Sequence, residues 1–310
     1  MGVMDATKAS FSYEDGTAAL TDISLSVERG ERVAILGPNG AGKSTLLQVL
    51  AGLKPVSSGT VRLFGQVLTK KSVAALRGRV GILFQDPDDQ IFMPKVWDDV
   101  AFGPINQGLG AKAVEKRVQK ALSMTGLAGY GDRVPHHLSY GEKKRVALAG
   151  VLAMRPEVLL LDEPTANLDP RNREELIAVI NDLNRHGCTI ITASHDMDAI
   201  SELADRVYVI NKRMVKEGAV RDIFLDPALL RSNNLDVPEI AKLFRVLRCF
   251  GYDCEDLPLS VDQAVDELTR KMEASGGHVH LHIHSHTPEE LEKLKSTRLH
   301  LKGRDHQHPE

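Results

Sequence analysis

A glycine-rich stretch follows the apolar run Arg32 to Leu36 and has the composition of a phosphate-binding loop. Its residues are Gly37, Pro38, Asn39, Gly40, Ala41, Gly42, Lys43, Ser44 and Thr45, which satisfy the pattern G-x-x-x-x-G-K-[ST]. Glycines let backbone N–H groups converge on an anion at a helix N-terminus. Lys43 can then reach the β- and γ-phosphates, and the Ser44 hydroxyl can ligate Mg²⁺. We therefore expect a nucleoside triphosphate and Mg²⁺ at this turn.

A pair of carboxylates ends a second apolar run, Val158 to Leu161. Asp162 suits the Mg²⁺ shell, and Glu163 suits a general base that orients the attacking water. A strand that ends in Asp-Glu is more often only the start of a solvated loop. Its combination with the phosphate loop favours catalysis.

Elements that could position these groups follow from the pattern of residues 1 to about 222. Short β-branched runs alternate with longer helical patterns, which is typical of parallel strands joined by helices. The fold class is therefore α/β with a helical insertion. We predict strands over 32–36, 60–64, 79–84, 158–161, 189–193 and 206–210, and helices over 111–126, 141–154 and 171–186.

Amphipathic helices replace this alternation after residue 222. Pro238 opens a segment with apolar residues on one helical face, and Ser260 with Gln263 forms a capping box for a second helix. Such short helices need a partner surface, either their own domain or a second copy of the chain. We predict a nucleotide-binding domain over 1–222, a helical dimerisation region over 223–272, and a linker with a His-rich tail over 273–310. The apolar face comprises Ile240, Leu243, Phe244, Leu247 and Phe250.

Composition excludes several classes of protein. Of 310 residues, 39 are Lys or Arg and 42 are Asp or Glu, so there is no cationic footprint for a nucleic acid. The longest apolar stretch, Val146 to Met154, is too short to span a bilayer, and no secretory signal is visible. Three cysteines are consistent with a reducing cytosol.

Further motifs occur in a recognisable order with the phosphate loop and the carboxylate pair. Gln85 follows an apolar run, His195 follows TIITAS, and Tyr13 lies in FSY before the phosphate loop. Two short segments complete the set, Leu138-Ser139-Tyr140-Gly141-Glu142 and Asn167-Leu168-Asp169. With these motifs the chain resembles the ATP-binding cassette ATPases, whose nucleotide-binding domain has a phosphate-loop NTPase fold and a helical subdomain that carries the LSGGQ-type signature motif.

The resemblance implies a mechanism in which two nucleotide domains face each other head to tail. ATP then lies between Lys43, Ser44 and Asp162 of one domain and Ser139 and Gly141 of the other. The pair could be a homodimer or a heterodimer.

The resemblance also assigns the remaining residues. Glu163 polarises water, His195 contacts the γ-phosphate, and Gln85 senses Mg²⁺ and the partner subunit. Tyr13 stacks on adenine, and Asp169 belongs to the D-loop. In the signature motif Tyr140 replaces a Gly and Glu142 replaces a Gln, while Ser139 and Gly141 are kept.

The segment from Gly81 to Gly108 narrows the resemblance. Its FQDPDDQ core and DVAFGPINQG end are similar to ATPase subunits of energy-coupling factor transporters, which take up vitamins, cobalt and nickel, and in particular to cobalt and nickel import ATP-binding proteins. In that family the segment lines the groove that receives coupling helices of a membrane subunit. The resemblance therefore implies membrane-embedded transporter subunits as partners and a peripheral location on the cytoplasmic face of the cell membrane.

Histidines are concentrated at the end of the chain. In one stretch they alternate with Val, Leu, Ile and Ser, so a strand would place five imidazoles on one face, about 7 Å apart. Imidazole suits Ni²⁺, Co²⁺ and Zn²⁺, and only its neutral form binds. A polar strand face with no metal is the simpler alternative. We interpret the pattern as a metal site and nickel or cobalt as the cargo. The five are His278, His280, His282, His284 and His286.

Three other functions stay open. One is an energy-coupling ATPase for a vitamin, and another is a soluble cassette ATPase that acts on DNA or ribosomes. The third is a His-rich metallochaperone GTPase, which would need an N-K-x-D motif. The closest match, Asn211-Lys212-Arg213, is followed by Met214.

Overall fold

The computed structural model describes residues 2–249, 252, 254 and 256–274. The predictions for Phe250 and for the His-rich tail lie outside these residues. Within them, the strands are β1 (Met4–Ser12), β2 (Ala18–Val27), β3 (Arg32–Leu36), β4 (Ser58–Leu63), β5 (Gln66–Val67), β6 (Val80–Leu83), β7 (Val158–Asp162), β8 (Thr189–Ser194), β9 (Arg206–Ile210) and β10 (Met214–Ala219). The helices are α1 (Lys43–Leu50), α2 (Val73–Leu76), α3 (Val96–Asn106), α4 (Ala111–Met124), α5 (Tyr140–Ala153), α6 (Pro170–Arg185), α7 (Met197–Leu203), α8 (Val220–Phe224), α9 (Pro227–Ser232), α10 (Glu239–Cys249) and α11 (Val261–Ala274).

The strands form two sheets. In the six-stranded sheet, ordered β10-β9-β3-β8-β7-β6, all neighbours are parallel except β10 and β9. The four-stranded sheet, ordered β2-β1-β4-β5, is antiparallel. The strand expected over 60–64 is present as β4, but it pairs antiparallel with β1 and does not extend the parallel sheet.

Side chains of the parallel sheet alternate between separate cores. Val33 and Ile35 of β3 pack in a core shared with the antiparallel sheet and α1. Ala34 and Leu36, which alternate with these two residues, point into a core shared with the C-terminal helices. In β7, Leu159 and Leu161 face the helical insertion. Because both faces are covered, these strands are apolar throughout, and this composition made them recognisable in the sequence.

The helical insertion consists of α3, α4 and α5. Its core includes Val100 of α3, Val118 of α4 and Leu148 of α5, together with β6 and β7 residues. The helices expected over 111–126 and 141–154 are thus confirmed. In the described part of the chain, no helix is long and apolar enough to cross a bilayer.

Both C-terminal helices pack on the body of the chain. Phe244 of α10 and Ala264 of α11 are buried in the core that contains strands β3 and β9. The predicted cap of α11 is present, because Gln263 N–H donates to the Ser260 hydroxyl at 3.2 Å. The Gln263 side chain accepts from Leu259 N–H, so the reciprocal bond is shifted by one residue. Apolar side chains stay exposed on both helices, namely Leu243 of α10 and Val261, Val265 and Met272 of α11. The domain boundaries remain a prediction.

Candidate functional site

Four neighbouring strands end at one edge of the parallel sheet. Leu36 of β3 pairs with Ser194 of β8, Asp162 of β7 pairs with Ala193, and Leu83 of β6 pairs with Leu161. This register places the starts of the loops after β3, β6, β7 and β8 side by side. Ligands of open α/β sheets bind at this carboxyl edge. The phosphate loop, the carboxylate pair, His195 and the loop with Gln85 all begin there.

Backbone conformation explains the glycines of the phosphate loop. Gly42 precedes α1 with φ of 93°, which side chains rarely tolerate. A Cβ there would lie 2.6 Å from the Ala19 carbonyl oxygen. A Cβ at Gly37 would lie 2.3 Å from the Ile210 carbonyl oxygen. The loop therefore depends on glycine at both positions. The first N–H groups of α1 have no partner within the helix and can bind an anion.

Lys43 is folded into this loop. Its Nζ donates to the carbonyl oxygens of Gly37 at 2.9 Å and Pro38 at 3.3 Å. It also lies 3.9 Å from Glu163 Oε1. Burial lowers the pKa of the ammonium, while the charges of Glu163 and Asp162 oppose that shift. The Lys43 ammonium therefore lies beside the position expected for the γ-phosphate of a bound triphosphate.

Asp162 has the surroundings of a metal ligand. Its carboxylate is 4% exposed, and Oδ1 has no hydrogen-bond partner among the described residues. Burial raises its pKa, whereas a hydrogen bond with the Ser44 hydroxyl lowers it. Buried polar atoms are normally paired. An Mg²⁺ ion held by Asp162 and Ser44 would satisfy the unpaired oxygen, so these residues fit the expected metal.

Glu163 is held in one orientation by neighbours from the next strand. His195 Nδ1–H donates to Oε1 at 2.8 Å, and the Ser194 hydroxyl donates to Oε2 at 2.9 Å. The residue has φ of 44°, a conformation that is strained for Glu. Its N–H donates to the Ala193 carbonyl at 2.9 Å. The imidazole side chain remains 56% exposed, so its other nitrogen is accessible to a ligand.

Tyr13 and Gln85 lie at the rim of this site. The Tyr13 hydroxyl shares a hydrogen bond of 2.9 Å with Thr45 of α1, and its ring is partly exposed. This location agrees with the predicted stacking on adenine, which remains a prediction. The Gln85 side chain is exposed, while its carbonyl oxygen accepts from the Tyr140 hydroxyl and from Lys144.

The signature motif forms the N-terminal cap of α5. The Ser139 hydroxyl accepts from Glu142 N–H, and the Glu142 carboxylate accepts from the N–H and the hydroxyl of Ser139. The bond from Ser139 N–H is the main cause of the lowered pKa of Glu142. The two departures from the usual motif thus have structural partners, since Glu142 closes the cap and Tyr140 binds the Gln85 carbonyl.

Residues of the signature motif and of the D-loop have contacts within the chain itself. Ser139 is exposed and hydrogen-bonded to Glu142, and a Cβ at Gly141 would lie 3.1 Å from Asn172. Asp169 caps α6 through Asn172 N–H. The structure therefore brings together the phosphate loop, the carboxylates and His195, and it gives Ser139 and Asp169 no contact with that group within the described chain.

Two residues of the site were missed in the sequence. Ser194 lies one residue beyond the strand predicted over 189–193, and no role was predicted for it from the sequence. Lys144 is fully buried, and its Nζ donates to the carbonyls of Gln85 at 2.7 Å and Glu163 at 3.0 Å. Burial lowers its pKa to about 8, against the charges of Asp162, Glu163 and Asp86. The sequence did contain one signal for Lys144, because this lysine stands among the apolar residues of the buried face of α5.

A second metal site is not found in the described part of the chain, where no three His, Cys, Asp or Glu side chains are arranged to hold an ion. His278, His280, His282, His284 and His286 lie outside that part.

The chain is similar to known ATP-binding cassette proteins. The family described as "ABC transporter" matches residues 20–166. The "Energy-coupling factor transporter ATP-binding protein EcfA" of Methanothermobacter thermautotrophicus is 48% identical over 262 residues, 84% of each protein. Its namesake in Methanocaldococcus jannaschii is 44% identical over 275 residues, which cover 88% of this chain and 97% of the relative.

Solved structures with similar folds are also cassettes. The cbiO1 protein of Clostridium perfringens, described as part of the ABC transporter complex cbiONQ, is 40% identical with a TM-score of 0.66. The match covers 75% of this chain and 94% of that protein. The cassette MJ0796, a dimer in a post-hydrolysis state bound to ADP and Pi, is 26% identical with a TM-score of 0.66, and the match covers 70% and 99%.

Replacement of the predicted base should separate binding from turnover. In Glu163→Gln the amide cannot accept a proton from water, so we expect steady-state phosphate release to fall at least about 100-fold. ATP binding, measured with a fluorescent analogue, should persist because the phosphate loop is unchanged. Glu174→Gln, an exposed change on α6, is the control. Undiminished hydrolysis in Glu163→Gln would contradict the assignment.

Proposed function

The chain belongs to the ABC transporter family and is an energy-coupling ATPase of the energy-coupling factor type, and we propose that it energises import of nickel or cobalt ions. The cargo proposal rests on one observation, the five alternating histidines from His278 to His286. Neutral imidazoles are suitable ligands for both ions. The similarity to cbiO1, a subunit of the cbiONQ complex, is compatible with this proposal.

Hydrolysis in this proposal depends on positioning and charge. Glu163, oriented by Ser194 and His195, accepts a proton from the attacking water. Lys43 and the N-terminus of α1 stabilise the charge on the phosphates, and the free nitrogen of His195 contacts the γ-phosphate. Ser44, Asp162 and Gln85 would hold Mg²⁺, which would neutralise further phosphate charge when bound.

A second copy of the domain, or a related cassette, completes the site. Ser139 lies at the exposed N-terminus of α5, where its hydroxyl can reach phosphate only in a facing domain. ATP between two such domains would hold them together, and hydrolysis would release them. The exposed apolar side chains of α10 and α11 are proposed as an additional contact of this dimer.

The membrane partner is proposed to dock in an apolar groove of about 640 Å³ between the helical insertion and the α1 end. The segment from Gly81 to Gly108 supplies much of its lining, which supports this proposal. Phe92 is 63% exposed, and its ring meets Phe102 edge to face at 5.0 Å. Leu53 also lines the groove. Such exposed aromatic residues fit the apolar face of a short helix.

A charge in this groove should prevent docking. We expect Phe92→Asp to weaken association with the membrane subunits at least about 30-fold, because a buried aromatic anchor contributes about 2 kcal/mol or more. Co-purification from a detergent extract measures the loss. Val215→Asp, an exposed β10 change outside the groove, should retain the partner. Recovery of ribosomes or DNA with the wild-type chain, and of no membrane protein, would refute the transport assignment.

Removal of the tail tests the cargo proposal. We expect the full chain to bind Ni²⁺ and Co²⁺ in equilibrium dialysis, and a chain that ends at residue 277 to lose most of this binding. Affinity of the full chain should fall as the pH drops below about 6.5, because imidazoles become protonated. Equal metal binding by both chains would remove the support for a metal cargo. ATP hydrolysis by the truncated chain serves as the folding control.

A further inference from the structure

Lys144 is a buried cation whose hydrogen bonds go to neutral acceptors. The side chain is fully shielded from solvent on the inner face of α5. Its ammonium donates to two carbonyl oxygens, of Gln85 at 2.7 Å and of Glu163 at 3.0 Å. Burial of a charge is strongly destabilising unless partners compensate it. A lysine confined between two backbone segments of the active site therefore indicates a function that an apolar residue cannot supply.

Each acceptor belongs to a segment that hydrolysis requires. Glu163 has the strained φ of 44°, and its peptide is fixed on one side by the bond of its N–H to the Ala193 carbonyl. Lys144 fixes the other side through the carbonyl. The Gln85 carbonyl accepts a second bond, of 3.1 Å, from the Tyr140 hydroxyl. The first turns of α5 thus donate to the loops after both β6 and β7.

We propose that Lys144 is a positioning residue that locks the backbone of Glu163 to that of Gln85, so that the Glu163 carboxylate is held in its reactive orientation. The ammonium spans two carbonyls because it has three donors on a long chain. A misplacement of about 1 Å at a reacting group can lower a rate about 100-fold. The proposal concerns ATP hydrolysis and is independent of the transported cargo.

The test compares two neighbouring lysines. Lys144→Met keeps an unbranched apolar stem and removes the ammonium. We expect kcat for ATP hydrolysis by the full chain to fall at least about 10-fold, with KM for ATP within about threefold, because Lys43 and the phosphate loop are untouched. Lys143→Met removes the adjacent ammonium, which pairs with the exposed Asp88 at 2.8 Å, and should keep kcat within about twofold. Lys144→Arg, which restores a donor cation, should recover part of the lost kcat.

Measurements of folding keep these outcomes separable. The thermal unfolding midpoint and binding of a fluorescent ATP analogue are recorded for each variant. If Lys144→Met does not fold, Lys144→Gln replaces it in the test. Gln is a neutral donor of shorter reach, and the same fall in kcat is expected. The proposal is overturned if kcat stays within about twofold of wild type, if kcat falls only with the folded fraction, or if Lys143→Met loses as much activity.

Discussion

Four charged side chains share the interior at the end of β7, and their mutual compensation is the constraint on which the site depends. Asp162, Glu163, Lys43 and Lys144 are 4%, 5%, 7% and 0% exposed. Two adjacent carboxylates buried alone would repel each other and be strongly destabilised. Lysines from the phosphate loop and from α5 offset both charges. These segments must therefore meet at one sheet edge for the charges of the two carboxylates to be offset.

This arrangement also connects the proposed docking groove to the site. The loop that follows β6 has its outer side in the groove, where Phe84 and Gln90 contribute to the lining. The Gln90 amide folds the loop by bonding to Phe84 N–H and to the Ile82 carbonyl. On its inner side the same loop bonds to α5 through the Gln85 carbonyl. Covalent bonds and hydrogen bonds therefore form a continuous connection from the groove to the backbone of Glu163.

Local sequence patterns predicted most of the parallel sheet and the long helices, because these strands are apolar on both faces and bounded by turns. The pairing of β4 could not be predicted from the sequence, since an apolar run does not specify whether its neighbouring strand is parallel or antiparallel. Helix α3 was not predicted as a helix, because Gly103 and Pro104 interrupt its pattern. Lys144 was missed because its acceptors are backbone carbonyls from distant segments, which no spacing in the sequence identifies.

Transport by the assembled complex is the most direct measurement of the proposed function. The chain is co-expressed with its membrane subunits, and ATP-dependent accumulation of labelled Ni²⁺, labelled Co²⁺ and labelled vitamins is followed in sealed vesicles. The proposed function predicts ATP-dependent accumulation of at least one of the two metal ions. Accumulation of a vitamin with no uptake of either metal would contradict it.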